Sequence, residues 1–166
     1  REYNMPEDEQ PKAQADENKT IRRPQKIYLK DVSFESPNSP ELFTTKWEPK
    51  LGVEMNNAVA VLDGDLYEVT LSVTATVSVN DKTAFLAEVH QAGIFTLKGF
   101  EADVLQRVQQ VYCLNTLYPY AGAALSDLVT KGGFPQLLLP PMHFAAMYEQ
   151  KLQKTRDEQE NPSSEQ

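Results

Sequence analysis

The chain has 166 residues, enough for one domain with a substantial core and too few for two, and it carries a formal charge of −8. A chain this acidic lacks the clustered Lys and Arg that displace counterions from phosphates, which excludes nucleic acid as a partner. Its longest aliphatic run is Leu137-Leu138-Leu139, far short of a membrane span, and its one cysteine, Cys113, allows no intrachain disulfide. A cytoplasmic protein without direct membrane insertion is expected.

Residues 1–24 mix acidic, amide and proline side chains with little to bury and read as a disordered arm without an apolar signal-peptide core. The sequon Asn18-Lys19-Thr20 within it is taken as chance. A folded domain is expected over 25–154, followed by a disordered acidic tail over 155–166. Residues 25–35 form a first candidate strand, closed by Pro37 and Pro40. A second covers 51–56, and Asp63-Gly64 turns the chain. The clearest strand follows: Tyr67, Val69, Leu71, Val73, Ala75, Val77 and Val79 alternate with polar residues, the period-two signature of one buried and one wet face. After Asn80-Asp81, residues 83–91 make the fourth. Four strands in meander order predict an antiparallel sheet with helices packed on one face, an α+β fold.

Helical spacing then takes over. Val104, Leu105, Val108, Val111 and Tyr112 line one stripe. Pro119 is expected to open a second helix with Ala124, Leu125, Leu128 and Val129 on its apolar face, stopped by Gly132-Gly133. Pro135 and Pro140-Pro141 keep residues 134–139 extended, and a last helix restarts at Pro141 and runs through Phe144, Met147, Tyr148 and Leu152.

No catalytic or metal motif stands. Asp63-Gly64-Asp65 lacks the further oxygen ligands of a calcium loop and reads as a hairpin turn. His90 and His143 have no histidine or cysteine at i+3 or i+4 to complete a zinc site. No serine sits in a nucleophile elbow, and Lys131-Gly132-Gly133 is not a phosphate loop. An enzyme is not expected, nor any cofactor or metal.

Two constellations remain. Asp31 and Glu35 lie four apart in one strand, and Leu86 and Glu88 two apart in another, so each pair projects from a single sheet face. On the residues alone this is a solvated outer face dotted with charge, its opposite side supplied by Val32, Phe34, Phe85, Ala87 and Val89. The other is an apolar excess: Leu114, Leu117, Tyr118, Tyr120, Phe134, Leu137, Leu138, Leu139, Met142, Phe144 and Met147. Singly each suits a core; together they exceed what one helical layer over four strands needs, so some should lie under a partner or line a groove.

Three segments carry a family resemblance: QKIYLKDVSFESPNSP (25–40), TAFLAEVHQAGIF (83–95), and LYPYA followed by GGFPQLLLPPMHF (117–144). In order and without large gaps from about 25 to 152, the chain resembles the bacterial export chaperone family SecB. The resemblance implies a nucleotide-independent holdase for unfolded precursor polypeptides, with the apolar set as the client groove. It implies that Asp31, Glu35, Leu86 and Glu88 dock the translocation motor SecA, whose zinc-containing C-terminal tail is basic. It further implies a homotetramer, a dimer of dimers, in which first strands pair across subunits and first helices pack between sheets. Val104, Val108 and Val111 then lie at an oligomer interface, and Ala87, Val89 and Gln91 occupy positions that bear on oligomer stability. The chain departs from the family at Leu114-Asn115-Thr116 after Cys113, where a proline is usual, and at Gly122-Ala123, where an Arg-Glu pair is usual. A rival reading is an adaptor that hides the same apolar surface permanently against one folded partner.

Overall fold

The computed structural model describes residues 19–161. The expected disorder of 1–18 and of 162–166 lies outside the described residues. Four strands, β1 (Ile21–Glu35), β2 (Lys50–Asp63), β3 (Leu66–Val79) and β4 (Lys82–Lys98), form one antiparallel sheet in the order β1-β4-β3-β2. Two tight turns make the β2-β3-β4 meander: Gly64 takes φ +54, and Asn80 and Asp81 both take positive φ, the conformation of a two-residue hairpin matched to strand twist.

The meander expected of all four strands fails for β1, which returns to lie beside β4 at the far edge in a Greek-key arrangement. The connection over 36–49 makes this possible. Asn38 Nδ2 donates to Thr83 O at 2.9 Å and Ser36 Oγ to Ala84 O at 3.1 Å, pinning the chain to the end of β4, and Leu42, in the one-turn 3-10 helix Glu41–Thr44, is buried there. The strands also run longer than periodicity indicated. β1 starts inside the expected arm because Ile21 to Pro24 pair with Lys98 to Phe95, and Pro24 is tolerated on an edge next to a bulge. β4 continues past Gln91 through Gly93, where a Cβ would stand 2.6 Å from Phe95 Cε2; the missing side chain gives that ring its place.

The core lies on one side of the sheet. Val69, Leu71, Val73, Ala75, Val77 and Val79 of β3, with Phe85, Ala87, Val89, Phe95 and Leu97 of β4, are buried beneath the helical layer. That layer is one rod over 102–131. The helix α1 (Ala102–Arg107) passes through a π-helical segment (Val108–Cys113) into α2 (Leu114–Lys131), with helical φ and ψ at both junctions. Pro119 therefore sits inside a helix and does not open one. A proline in a helix interior costs about 3 kcal/mol, whereas burial of Leu114, Leu117, Leu125 and Val129 against the sheet contributes about 1.5–3 kcal/mol each. Packing decides the matter. Residues 132–143 are irregular, and α3 (Phe144–Glu160) begins three residues beyond Pro141 and carries helix into the expected tail. Arg107 ties it back, pairing with Glu149 while its guanidinium lies 5.8 Å from the centre of the Tyr148 ring.

Candidate functional site: an acidic sheet face opposite an apolar helical face

Register converts the strand pattern into rows of side chains. On the face turned away from the helices, Gly52, Thr76, Leu86 and Glu35 form one row across the sheet, Glu54, Thr74, Glu88 and Ser33 the next, and Asn56, Ser72, His90 and Asp31 the third. Asp31, Glu35, Leu86 and Glu88 are thus cofacial neighbours. Leu86 and Glu35 are direct cross-strand partners, Glu88 is one row on, and Asp31 faces His90 one row further. Asp31 and Glu35 are exposed; Leu86 and Glu88 are half-buried.

A bulge in β1 matters here. Between Leu29 and Asp31 the register slips by one residue at Lys30, so a strand that buries Ile27 against the core still presents Asp31 outward. Lys30 Nζ reaches Glu68 Oε1 at 2.6 Å, and the Tyr28 hydroxyl donates to the same carboxylate. These two bonds, the lysine's first, hold the Glu68 carboxyl below its usual range, and burial followed by Glu68 pushes the Tyr28 phenol up to about 12. The one cation nearest Asp31 in sequence is thereby committed to Glu68, and the Asp31 carboxylate accepts from Val32 N at 3.0 Å while remaining exposed.

The apolar residues sort into two groups. Leu114 and Leu117 are buried on the sheet-facing stripe of α2, and Phe134 and Phe144 are almost as fully covered. As groove surface they are corrected: helical period four turns 114, 117, 121 and 125 inward together, so they are core. Phe134 anchors an aromatic cluster with Phe43, Trp47 and Phe85 at centroid distances of 5.0, 5.6 and 5.0 Å, and Phe144 meets Tyr118 edge-on at 5.5 Å. The remainder are accessible. Tyr118, Leu137, Leu138 and Leu139 wall a groove of about 610 Å³ whose floor is Gly122, Ala123 and Ser126. Leu138 is 74% exposed; Tyr120 is exposed too, but is not among the residues that line the groove. The Tyr118 hydroxyl donates to Pro140 O, fixing one wall. Met142 packs partly against the core, and Met147 borders a smaller cavity between α3 and β2. Of the two family departures, the one at Gly122-Ala123 falls on the groove floor.

Phe43 and Trp47 were missed. They lie on the β1-β2 connection, 52% and 36% exposed, and extend the apolar surface from Phe134 to solvent. Two aromatics four apart in a proline-bounded stretch were the available signal.

Ala87, Val89 and Gln91 are interior. They point from β4 under the helices, and Gln91 Nε2 donates to Tyr28 O at 3.0 Å. Strand alternation sets them opposite to Glu88 and His90, on the core side. Val108 is also buried, while Val104 is exposed and Val111 half-buried; all three line an open cavity of about 820 Å³ with Arg22 and Tyr112. Burial pushes the Cys113 thiol up to about 12, so it is no ready nucleophile. Among the described residues, no three His, Cys, Asp or Glu are grouped to hold a metal ion, and no helix is long and apolar enough to cross a membrane.

The arrangement defines a small α+β protein with a charged open sheet face and an apolar surface on its helical side. Residues 14–155 match the family model described as preprotein translocase subunit SecB. The protein-export protein SecB of Hydrogenovibrio crunogenus is 54% identical over 130 residues, 78% of this chain and 87% of that protein. That of Methylococcus capsulatus is 52% identical over 134 residues, covering 81% and 86%. A SecB-like chaperone of Mycobacterium tuberculosis, solved with a peptide from an antitoxin, shares the fold at a TM-score of 0.62 and 17% identity, over 74% of this chain and 91% of that one. The chain belongs to the SecB family, and its role is that of a chaperone in protein export.

Proposed function

We propose that the protein is an ATP-independent holdase that captures unfolded precursors on its helical side and hands them to the SecA motor through the acidic sheet face. The observation that carries this reading is the separation of the two surfaces. The exposed apolar residues Leu138, Tyr120, Phe43 and Trp47 lie with the helices and the crossover, whereas Asp31, Glu35, Leu86 and Glu88 occupy the opposite side of the sheet.

Capture follows from burial without direction. Each apolar contact contributes about 25 cal/mol per Å² before ordering costs, and a groove repeated on several subunits makes later contacts intramolecular, raising avidity without sequence preference. Assembly as a dimer of dimers supplies that repetition. β1 is an edge strand with Leu29 and Val32 exposed, and the cavity along Val104 and Val111 is open, both apt for cover by a second copy. Opposite charge on the docking face then accelerates and orients the encounter with a basic motor tail.

Light scattering coupled to size exclusion tests the reading, on the protein alone and after mixing with a precursor diluted from denaturant. A tetramer that gains the mass of one unfolded client and ignores the same client folded is expected. Failure to gain mass from the unfolded client would favour the permanently covered adaptor instead.

A further inference from the structure

We propose that His90 belongs to the docking face as a positioning residue for Glu88, and that its protonation weakens docking of a basic partner. The inference rests on the docking reading above and adds to it a residue and a pH dependence. His90 lies in the row of Asp31, with its ring held between two strands. Nε2 contacts Glu88 Oε1 on its own strand, and Nδ1 lies 3.3 Å from Ser72 Oγ on β3.

The chemistry of these partners assigns the proton. A carboxylate only accepts, so Nε2 carries a hydrogen and donates to Glu88. In the neutral ring Nδ1 is then an acceptor and the Ser72 hydroxyl donates to it. Protonation puts a hydrogen on Nδ1, and the hydroxyl rotates to accept. Both states keep both contacts, so the site takes up a proton with no more than a hydroxyl rotation and gains one charge. The facing groups are few: Glu88 from β4, Asp31 across on β1, and the neutral Ser72 and Asn56 further along the row on β3 and β2. Lys30, the nearest cation on β1, is taken by Glu68. A positive ring here contacts Glu88 and lies across the strand pair from Asp31, two carboxylates that a basic partner needs, and offsets one of them.

Linkage gives the sign. A partner that binds the neutral-histidine face more tightly gains affinity as rising pH removes the ring's second proton. One added positive charge within several ångströms of the contact lowers affinity by about three- to tenfold at moderate salt.

The probe is a zinc-loaded synthetic peptide of the SecA C-terminal segment, titrated calorimetrically against the full-length protein from pH 8 to pH 6. Wild type is expected to weaken about three- to tenfold relative to His90→Gln, whose amide still donates to Glu88 but takes up no proton; titration of the peptide itself cancels in that ratio. His90→Ala, which leaves Glu88 unheld, should bind more weakly than both at pH 8, and glutamine should rescue it. In wild-type protein the imidazole titration followed by NMR should move to lower pH when the peptide is added. Equal pH slopes for wild type and His90→Gln, or an imidazole midpoint indifferent to peptide, overturn the role of His90 while leaving docking intact. Absence of peptide binding to wild type at every pH overturns this proposal and the docking reading together.

Discussion

Replacing Leu138 with aspartate tests whether the groove beside α2 captures clients. Fully burying a leucine side chain is worth about 1.5–3 kcal/mol. Leu138 is 74% exposed, so a client that covers it recovers about 1–2 kcal/mol at that contact, a factor of about five to thirty in affinity. Aspartate removes this term and sets a carboxylate where an apolar chain must lie. The exposure that makes the residue available also makes it dispensable to the fold, since the substitution leaves the protomer core intact. The assay is competition between the variant and spontaneous refolding of a denatured precursor, with thermal melting alongside. The variant should capture at least about fivefold more weakly and melt within about a degree of wild type. Unchanged capture with an unchanged melting curve would remove Leu138 from the client surface, and with it the reasoning from exposure.

Asp31→Lys combined with Glu88→Lys reverses two charges on the acidic face and should weaken binding of the basic SecA tail by about a hundredfold or more, with client capture unaltered; equal loss of both in parallel titrations would sink the two-surface arrangement. At Gly132 an added Cβ would overlap the Phe34 ring, so Gly132→Ala should cost about 1–3 kcal/mol through overpacking, read as a melting point lower by several degrees; an unchanged melting point would show that the ring moves freely. The Glu68 carboxyl is held low in the folded protein by Lys30 and then Tyr28, so its stabilisation is full above the ordinary value of 4.5 and is lost as pH falls through the lowered folded value. Because Lys30 is half exposed the pair is worth only about 0.5–1 kcal/mol, and Glu68→Gln should be less stable than wild type at pH 7 and indistinguishable from it near pH 2. A stability gap that persists undiminished at pH 2 would show that the ion pair is not its source.

What the sequence made legible is what local pattern determines. The alternation from Tyr67 to Val79 and the turns at Gly64 and Asn80-Asp81 report on neighbours a few residues away, and they yielded three of the strands and the α+β class. The place of β1 depends on contacts between residues 36–38 and 83–84, which no periodicity contains. Pro119 was misread for a related reason, since proline's local penalty is visible in sequence and the sheet that outweighs it is not. The candidate site divides the same way. Period two was enough to set Asp31, Glu35, Leu86 and Glu88 on common faces, but only register made the two pairs neighbours and set His90 opposite Asp31. Apolar identity marked Leu117 and Leu138 alike, although one is core and the other open to solvent.

The first strand joins the two surfaces without mixing them. Phe34 stacks on Phe85 at 5.9 Å in the aromatic cluster, and its chain neighbour Glu35 stands on the acidic face opposite Leu86. Adjacent residues of a strand point to opposite sides, so the apolar and acidic surfaces are separated by the thickness of one sheet. A paired, hydrogen-bonded sheet resists the local twist by which a ligand on one side would distort the other, which favours docking that is indifferent to whether the apolar side is occupied. If the motor prefers loaded chaperone, that preference would have to come from elsewhere, as from contacts between the motor and the client itself. Measuring SecA tail affinity with and without bound precursor distinguishes the cases: equal affinities fit a rigid partition, and a client-dependent difference with the isolated tail would require that β1 transmit strain from Phe34 to Glu35.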